Sequence, residues 1–274
     1  MNVIIIVGDG LRTVNLGCYG YSRNTTPTID QMAKDGVLFE DAYSCTNHTD
    51  PSFTTILSGK YPLSHGIIHH GSTSHGVTEE ELKVFAMTDT RLLSEILKSR
   101  GYYTIALDWL GRWHKRGYDF YGETQGLSSA LVVEKTLNRL PSRINKWTGM
   151  KLQRIGFALP SRSGKCYTDL AIKLLKEKRR DNFFILLHNW DTHTPFSTLP
   201  SSYVHKFYDG AGGEKVEEML KRIDNPKWRQ IARDYHLQGV EYVNEIPALY
   251  DGAVNSFDRS VERLLNSLRV WDSG

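Results

Sequence analysis

Two short runs of consecutive apolar residues constrain the fold of this chain more than any other feature. The runs are Asn2–Val7 and Asn182–His188. A strand that is apolar on both faces is typical of a parallel sheet, because helices must cover it on either side. Helical patterns separate these runs from two further strand candidates, Val37–Tyr43 and Tyr102–Leu107. This alternation predicts an α/β fold with a doubly wound, mostly parallel sheet flanked by helices.

Apolar spacing and end signals predict the helices that flank this sheet. The first is preceded by Thr26 as its N-cap, with Pro27 at its first position and Gly36 after its end, and these are typical start and stop residues. The last predicted helix carries one continuous apolar stripe. The predicted ranges are Thr28–Lys34, Pro51–Ser58, Thr90–Ser99, Tyr167–Arg179 and Ile246–Val270.

The composition fits one globular domain that spans residues 1–274. The chain is 40% hydrophobic and 24% charged, which suits a sizeable core. Its net charge of +3 is too small to indicate a nucleic-acid partner. The cysteines, Cys18, Cys45 and Cys166, are widely scattered, which argues against a disulfide framework and against a zinc knuckle.

The sequence carries no targeting or membrane signal. No stretch reaches the roughly 18 consecutive apolar residues that a membrane helix needs. The run Val3–Val7 is too short for the apolar region of a signal peptide, and it lacks a basic flank. From the sequence we therefore expect a cytoplasmic protein with no membrane association.

A carboxylate and a hydroxyl stand at two positions where such a fold binds ligands. Asp9 follows the first predicted strand, and doubly wound sheets hold ligands at the carboxyl ends of their strands. Thr49 stands just ahead of the predicted helix Pro51–Ser58, and a helix start offers N–H groups and its positive dipole end to an oxyanion. Together they indicate a metal-assisted site that cleaves esters. Thr46 and Ser52 are weaker nucleophile candidates in the same segment.

Several spaced sequence blocks resemble the sulfatase branch of the alkaline phosphatase superfamily. The first is an apolar strand followed by Asp-Gly-Leu-Arg and then by Leu-Gly-Cys-Tyr-Gly-Tyr. Later blocks include a nucleophile segment, a Gly-x-Tyr-Pro-x-x-His-Gly-Ile motif and an Asp-x-His-x-Pro motif. The resemblance spans nearly the whole chain, with a weak part from about Leu110 to Cys166. The blocks lie at Asp9–Arg12, Leu16–Tyr21, Thr26–Asp30, Thr46–Ser52, Gly59–Ile67, Trp190–Pro195 and Tyr250–Arg259.

The resemblance implies a cofactor and a nucleophile. Asp9 aligns with a family ligand of one divalent cation, which we expect to be Mg²⁺, Ca²⁺ or Mn²⁺, since such hard ions favour carboxylate oxygens. Thr49 aligns with the family nucleophile, which the same cation binds and activates. The alternatives are that Asp9 only caps the turn after its strand and that Thr49 only caps its helix.

Departures from the family pattern bear on the substrate. Gly10 stands where sulfatases carry a second Asp, and Phe53 stands where they carry an Arg. In sulfatases the nucleophile is a Cys or Ser that is converted to formylglycine, whereas oxidation of Thr49 would give a ketone because of its β-methyl group. We therefore expect hydrolysis of a phosphate mono- or diester, or of a phosphonate ester, through a covalent threonine intermediate. A small anionic ester is the expected partner, and a sulfuric ester is the alternative substrate.

Histidines supply the remaining candidates. His70 lies where nucleotide pyrophosphatase-like and phosphonate hydrolase-like relatives place an Asn that holds a substrate oxygen, and a histidine can donate the same hydrogen bond. His193 matches the family histidine that faces the leaving group, where it can act as a general acid, and the alternative is a loop histidine that fixes the turn.

We expect His65 to be buried and structural. We expect the aromatic and basic cluster Trp109–Lys115 to be a packed surface loop, with the lining of a substrate pocket as the alternative.

The resemblance also predicts an element that this sequence lacks. In the family the last helix leads into a strand that ends in Asp-His-Gly, whose Asp and His are metal ligands, and no Asp-His pair occurs in this sequence. We therefore expect the chain to be the N-terminal portion of a longer protein or a naturally shortened member, with full activity needing the missing part. The alternatives are a phospho-alcohol transferase and a non-catalytic fragment or binding subunit.

Overall fold

The structure is a computed structural model that describes residues 1–71, 76–122, 164–178, 182–196, 199, 201–204, 206–208, 210 and 212–272. Strands β1 to β4 of this part are Val3–Gly8, Tyr103–Leu107, Phe120–Gly122 and Phe183–Asn189. Helices α1 to α10 are Pro27–Asp35, Thr49–Ser58, Pro62–His65, Glu79–Met87, Leu93–Ser99, Gly164–Lys178, Ser201–Val204, Val216–Leu220, Pro226–Ile231 and Glu245–Asp272. Short 3₁₀ turns cover Thr13–Asn15, Gly17–Tyr19 and Arg112–Lys115. A π-helical turn covers Ala232–His236.

The chain folds into two compact units. The first unit consists of Met1–Val7, Phe39–Glu123 and Leu174–His188. The second unit consists of Gly8–Leu38, Thr124–Lys173 and Asn189–Gly274. The expectation of one domain over residues 1–274 stays a prediction. None of the helices in the described part of the chain combines the length and the apolar character that spanning a bilayer requires.

The first unit is built on a parallel four-stranded sheet with the strand order β1-β4-β2-β3. Strand β2 pairs in parallel with β4, from Tyr103 opposite Phe183 to Leu107 opposite Leu187, and it pairs in parallel with β3 on its other side. All residues of β4 are buried, as the apolar run predicts. The α/β class with a parallel sheet flanked by helices is confirmed.

Two strand predictions are wrong because a strand depends on its neighbours as well as on its own residues. β1 is half-buried rather than covered on both faces, and it lies at the edge of the described sheet, since an apolar run does not fix a strand's place in the order. The segment Val37–Tyr43 forms no strand, and Val37, Phe39 and Tyr43 are 80%, 72% and 87% exposed. β-prone residues favour a strand only where a pleated, half-buried surface receives them.

The hydrophobic core of the first unit fixes the position of α2. Phe53 and Leu57 of α2 pack with Phe85 of α4 and with buried residues of β2 and β4. Each large side chain that is fully buried contributes about 1.5–3 kcal/mol of hydrophobic stabilisation. The start of α2, where Thr49 lies, is therefore attached to a rigid body. The buried members of this core are Phe53, Leu57, Ile67, Phe85, Leu92, Ala106, Leu110, Trp113, Phe184 and Leu186.

The starts of α1 and α2 differ from the predictions. α2 begins at Thr49 rather than at Pro51, and His48 is its N-cap residue. Thr49 therefore lies inside the first turn instead of ahead of the helix, and the alternative that it only caps the helix is wrong. α1 begins at Pro27 with Thr26 in the cap position, but the Thr26 side chain makes no capping hydrogen bond.

The start of α1 is capped instead by an aspartate that is distant in sequence. Asp258 of α10 is fully buried and accepts hydrogen bonds from the backbone N–H groups of Thr28 and Ile29, at 3.1 and 2.9 Å. The predicted apolar stripe of α10 is confirmed, and it packs in the second unit. Its buried apolar residues are Ala248, Ala253, Val254, Phe257, Val261 and Leu264.

The loop between α3 and α4 is held by one carboxylate. Glu81 in α4 accepts hydrogen bonds from the backbone N–H groups of Ile68 and His69, at 2.7 and 3.0 Å, and forms a capping box with Thr78. Burial raises the pKa of Glu81, but the N–H groups of Thr78, Ile68 and His69 outweigh burial and lower the pKa to about 2. The ionised carboxylate therefore stabilises the folded loop.

We predict that Glu81→Gln destabilises the protein by about 1–3 kcal/mol at pH 7, because two backbone N–H groups lose their charged acceptor. The folded-state pKa lies below the ordinary value of 4.5, so this stabilisation is complete above pH 4.5 and is lost as the pH falls towards 2. Urea unfolding of the wild type and the variant from pH 7 to pH 2 measures the difference. The exposed neighbour Glu80 gives the control, Glu80→Gln. A difference that is constant over this pH range would contradict the assignment.

Candidate functional site

Thr49, the predicted nucleophile, is half-buried in the first turn of α2. The first N–H groups of a helix have no acceptor within the helix, and they carry the positive end of its dipole. A negative charge at such a position is stabilised by about 0.3–1 kcal/mol at the surface, and by more where water is excluded. The location of Thr49 is therefore suited to an anionic ligand.

Asp50, the residue after Thr49, is the centre of a polar cluster in the first unit. Its side chain is fully buried and accepts a hydrogen bond from the Gly71 backbone N–H at 2.7 Å. His70 Nδ1 lies 2.8 Å from Asp50 Oδ2, and the Arg112 guanidinium forms an ion pair with Oδ1. Burial raises the pKa of Asp50, but His70, the Gly71 N–H group and Arg112 lower it to about 2. Asp50 is therefore ionised near neutral pH.

Arg112 connects this buried carboxylate to the surface. Its side chain is 36% exposed, so that part of the guanidinium faces solvent while one N–H group binds Asp50. The guanidinium lies directly against Gly71, where an added Cβ would overlap Arg112 Nη1. Only glycine fits at position 71 without displacing the arginine. Arg112 can therefore offer its remaining donors to an oxyanion.

His114 lies behind Asp50 and is completely buried. Its Nε2 lies 3.3 Å from the Thr54 hydroxyl, which also accepts a hydrogen bond from Trp113 Nε1 at 3.0 Å and donates to the Asp50 carbonyl at 2.7 Å. Burial lowers the pKa of His114 to about 4, against the opposing effect of Asp108 and Asp50. His114 is therefore neutral at pH 7, and Arg112 is the permanent cation of this cluster.

A second buried carboxylate, Asp108, follows β2. His188 Nδ1 donates to Asp108 Oδ1 at 2.7 Å, and the Tyr121 hydroxyl donates to Oδ2. Burial raises the pKa of Asp108, but the interactions with His188, Tyr121 and His114 together outweigh burial and keep the pKa below its ordinary value. The His188 ring lies 4.1 Å from the ring of Phe53, so the position where sulfatases carry an Arg belongs to the core in this chain.

In the second unit, Asp9 and His193 belong to adjoining loops. The Thr192 hydroxyl donates to the Asp9 carbonyl at 2.8 Å, and the Asp9 N–H donates to the Asn189 carbonyl at 2.9 Å. The Tyr250 hydroxyl bridges the turn after Asp9, donating to the Gly10 carbonyl at 2.8 Å. The loop that holds His193 therefore lies beside Asp9.

His193 is held in one orientation. Its Nδ1 lies 2.5 Å from the Thr194 carbonyl, and because a carbonyl only accepts, Nδ1 must carry the proton. Nε2 is therefore the ring nitrogen that does not contact this carbonyl. The ring stacks on Trp190 with 3.8 Å between centroids. His236 also contacts Thr194, because its Nδ1 lies 2.6 Å from the Thr194 hydroxyl.

The expected divalent cation finds no complete binding site in the described part of the chain. No group of three or more His, Cys, Asp or Glu side chains is arranged there to hold a metal ion. Hard cations take six or more oxygen ligands, and Asp9 supplies a single carboxylate. The described residues alone therefore do not fit the cation.

The structure brings the predicted site residues together in pairs. In the first unit, Thr49 precedes Asp50, and the carboxylate of Asp50 lies against His70. In the second unit, the Asp9 carbonyl accepts a hydrogen bond from Thr192, which is the residue before His193. Their roles stay predictions. His65 is buried, accepts from the Ile67 N–H at 3.1 Å and contacts Thr55, so its structural role is confirmed.

Sequence reasoning missed Asp50, and it assigned the cluster Trp109–Lys115 wrongly to a surface loop. Trp113 and His114 are buried, and Arg112 forms an ion pair with Asp50. The available signal was an unusual density of basic and aromatic residues directly after a predicted strand, where α/β sheets place ligand-binding loops.

Comparison with known proteins agrees with this fold. The family model described as Sulfatase matches residues 1–273. N-acetylgalactosamine-6-sulfatase of Homo sapiens is 24% identical over 260 residues, which are 88% of this chain and 48% of that protein. N-acetylgalactosamine-6-O-sulfatase of Bacteroides thetaiotaomicron is 30% identical over 51% of this chain and 28% of its own length. The chain thus spans about half the length, or less, of these curated relatives.

A solved structure supports the same assignment of fold. The phosphonate monoester hydrolase of Agrobacterium radiobacter superposes with a TM-score of 0.63 at 17% identity, covering 98% of this chain and 59% of that one. At this identity the likeness concerns the fold alone. The family model covers the chain almost from end to end, and the resemblance drawn from the sequence blocks is confirmed. The chain belongs to the sulfatase family.

Proposed function

We propose that this chain is the nucleophile-bearing part of an ester hydrolase that cleaves phosphate mono- or diesters, or phosphonate esters, through a covalent intermediate on Thr49. One observation carries the proposal. Thr49 opens α2, and the next residue, Asp50, holds Arg112 and His70 beside this helix start. A nucleophile, a helix N-terminus and a guanidinium thus lie in one cluster, which suits an anionic ester.

Each residue of this cluster has a separate task. Arg112 binds a non-bridging oxygen of the ester, and the first turn of α2 adds its N–H groups. The Thr49 Oγ1 atom attacks phosphorus and gives up its proton to solvent, while the bond from phosphorus to the alcohol oxygen breaks and the alcohol leaves with a proton from solvent. Water later attacks the phosphothreonine and breaks its bond from phosphorus to Oγ1, which releases the phosphate or phosphonate and restores the Thr49 hydroxyl. Because His70 Nδ1 faces the Asp50 carboxylate at 2.8 Å, Nε2 of His70 is the ring nitrogen that we assign to the substrate. Asp50 is a positioning residue, since it acts through Arg112 and His70.

The residues around Thr49 favour phosphorus over sulfur. Formylglycine needs a Cys or Ser, and Thr49 is neither. Phe53 is buried against His188, so the helix position that carries an Arg in sulfatases offers no donor to a substrate. The names of the curated relatives favour the second candidate, hydrolysis of a sulfuric ester. Small anionic esters are the proposed partners in both cases.

We predict that Thr49→Ala lowers the hydrolysis of a nitrophenyl phosphodiester by about 10³-fold or more in the whole protein, because the nucleophile is lost. Thr49→Ser should retain part of the activity, since it keeps the hydroxyl. Thr46→Ala is the matched control and should leave the rate unchanged. Steady-state kinetics with nitrophenyl phosphodiester and nitrophenyl sulfate measure the loss of activity in each variant and the preference between the two esters. Wild-type turnover in Thr49→Ala would refute the nucleophile, and a clear preference for the sulfate would select the second candidate.

We predict that the 274-residue chain binds Mg²⁺, Ca²⁺ or Mn²⁺ weakly, with dissociation constants of about 1 mM or more, because the described residues provide too few ligands. Asp9 is the proposed carboxylate ligand. Isothermal titration calorimetry of the wild type and of Asp9→Asn measures the affinity and the contribution of Asp9. Tight one-to-one binding by the chain would contradict the prediction.

We predict that His193→Ala slows alkyl esters about 10²–10⁴-fold but nitrophenyl esters much less, because a general acid helps most when the leaving group is poor. Its melting temperature should stay nearly unchanged. Rates on the two ester types and a thermal melt are the measurements. Equal losses on both esters would indicate substrate binding instead, and a large fall in melting temperature would indicate a role in fixing the loop.

A further inference from the structure

Arg112 has a backbone conformation that needs support from its surroundings. Its φ is +50°, and among the described residues it is the one non-glycine residue with a positive φ. An L-residue adopts this region at a cost in free energy, and such residues persist only where several contacts hold them in place. Contacts on both sides of Arg112 therefore hold its backbone in this conformation.

On its N-terminal side, two hydrogen bonds fix the chain as it enters Arg112. The Leu110 N–H donates to Asp108 Oδ1 at 3.1 Å, and the Gly111 N–H donates to the Tyr121 hydroxyl at 2.9 Å. That hydroxyl in turn donates to Asp108 Oδ2. The N–H groups of Leu110 and Gly111 thus both depend on the Asp108 carboxylate. Leu110 bonds to it directly, and Gly111 bonds to it through the Tyr121 hydroxyl.

Asp108 is itself fixed by the sheet. It is fully buried, as is His188 at the end of β4, and His188 Nδ1 donates to Asp108 Oδ1 at 2.7 Å. Burial, with the neighbouring charge of Asp108, raises the pKa of Tyr121, so its hydroxyl remains a donor at all physiological pH values. The turn before Arg112 is therefore attached to β3 through Tyr121 and to β4 through His188.

On its C-terminal side, Arg112 is attached to α2. Trp113 Nε1 donates to the Thr54 hydroxyl at 3.0 Å, and the same hydroxyl donates to the Asp50 carbonyl at 2.7 Å. This side fixes the main chain after Arg112 to the helix that Thr49 begins. On the N-terminal side, hydrogen bonds from Asp108, Tyr121 and His188 set the orientation of the main chain.

We propose that Asp108, Tyr121 and His188 are positioning residues that set the geometry of Arg112 for an oxyanion of the ester. This inference rests on the proposed function, in which Arg112 receives that oxyanion. The three side chains do not touch the substrate. They hold the turn 108–111 so that the guanidinium lies between Asp50 and Gly71 with its remaining donors turned outwards.

The test compares two half-buried tyrosines in the full chain. Tyr121→Phe removes the hydroxyl that links Gly111 to Asp108. Tyr118→Phe is the matched control, because Tyr118 packs against Tyr121 with 5.7 Å between ring centroids but forms no hydrogen bond to the turn 108–111 within the part of the chain that the structure describes. Each variant is made in the wild type and in Arg112→Gln. Binding of inorganic phosphate is followed by the NMR shift of the Gly71 amide, with thermal melts as a check on folding.

We expect Tyr121→Phe to weaken phosphate binding about tenfold in the wild type and less than twofold in Arg112→Gln, because the hydroxyl acts through the arginine. Asp108→Asn should behave in the same way, and Tyr118→Phe should change neither background. Equal losses in both backgrounds, or equal effects of the two tyrosine variants, would overturn the inference.

A structure of Tyr121→Phe separates this inference from the proposed function. If Arg112→Gln itself leaves phosphate binding unchanged, the proposed anion-binding role of Arg112 fails. The positioning inference is then decided by the ion pair between Arg112 and Asp50. A pair that is lost or displaced in Tyr121→Phe supports the inference, and a pair that is retained overturns it.

Discussion

The buried carboxylate of Asp50 is the constraint on which the rest of the candidate site depends. Removing an ionised carboxylate from water costs several kcal/mol unless partners compensate for it. The partners come from two distant segments, with His70 and Gly71 from one and Arg112 from the other. The cost of leaving Asp50 unpaired therefore draws both segments to the start of α2. Truncation of Arg112 would therefore remove more than one contact, because the buried charge of Asp50 would lose the guanidinium that compensates for it.

The parts of the fold that sequence could predict are those set by local periodicity. The strands at Tyr103–Leu107 and Phe183–Asn189 and the helices at Pro27–Asp35 and Glu245–Asp272 follow from side-chain spacing, because each spacing places one face in a core. The family blocks added Asp9, Thr49, His70 and His193 as candidates. Burial of His65 was also predictable, because the histidine of this family motif has a structural role.

The parts that sequence could not predict depend on residues far apart in the chain. Asp50 and Arg112 are 62 positions apart, and no local pattern indicates that they meet. The capping of α1 by Asp258 rather than by Thr26 has the same cause. Val37–Tyr43 has the composition of a strand, yet the described structure provides it with no partner, and β-propensity alone cannot supply one. Tertiary contacts decided each of these cases.

The long-range anchoring by α10 has a consequence for how the second unit forms during synthesis. Tyr250 holds the Gly10 carbonyl, Asp251 holds Arg23 and Asp258 holds Ile29, across 240, 228 and 229 positions. These bonds cannot form until the ribosome has made the last helix. At about 5–20 residues per second, the N-terminal segment with Asp9 waits about 10–50 s for its anchors. During that time its polar groups and apolar side chains are available to chaperones and to other nascent chains, so the pace of translation through the middle of the message sets how long this segment is vulnerable.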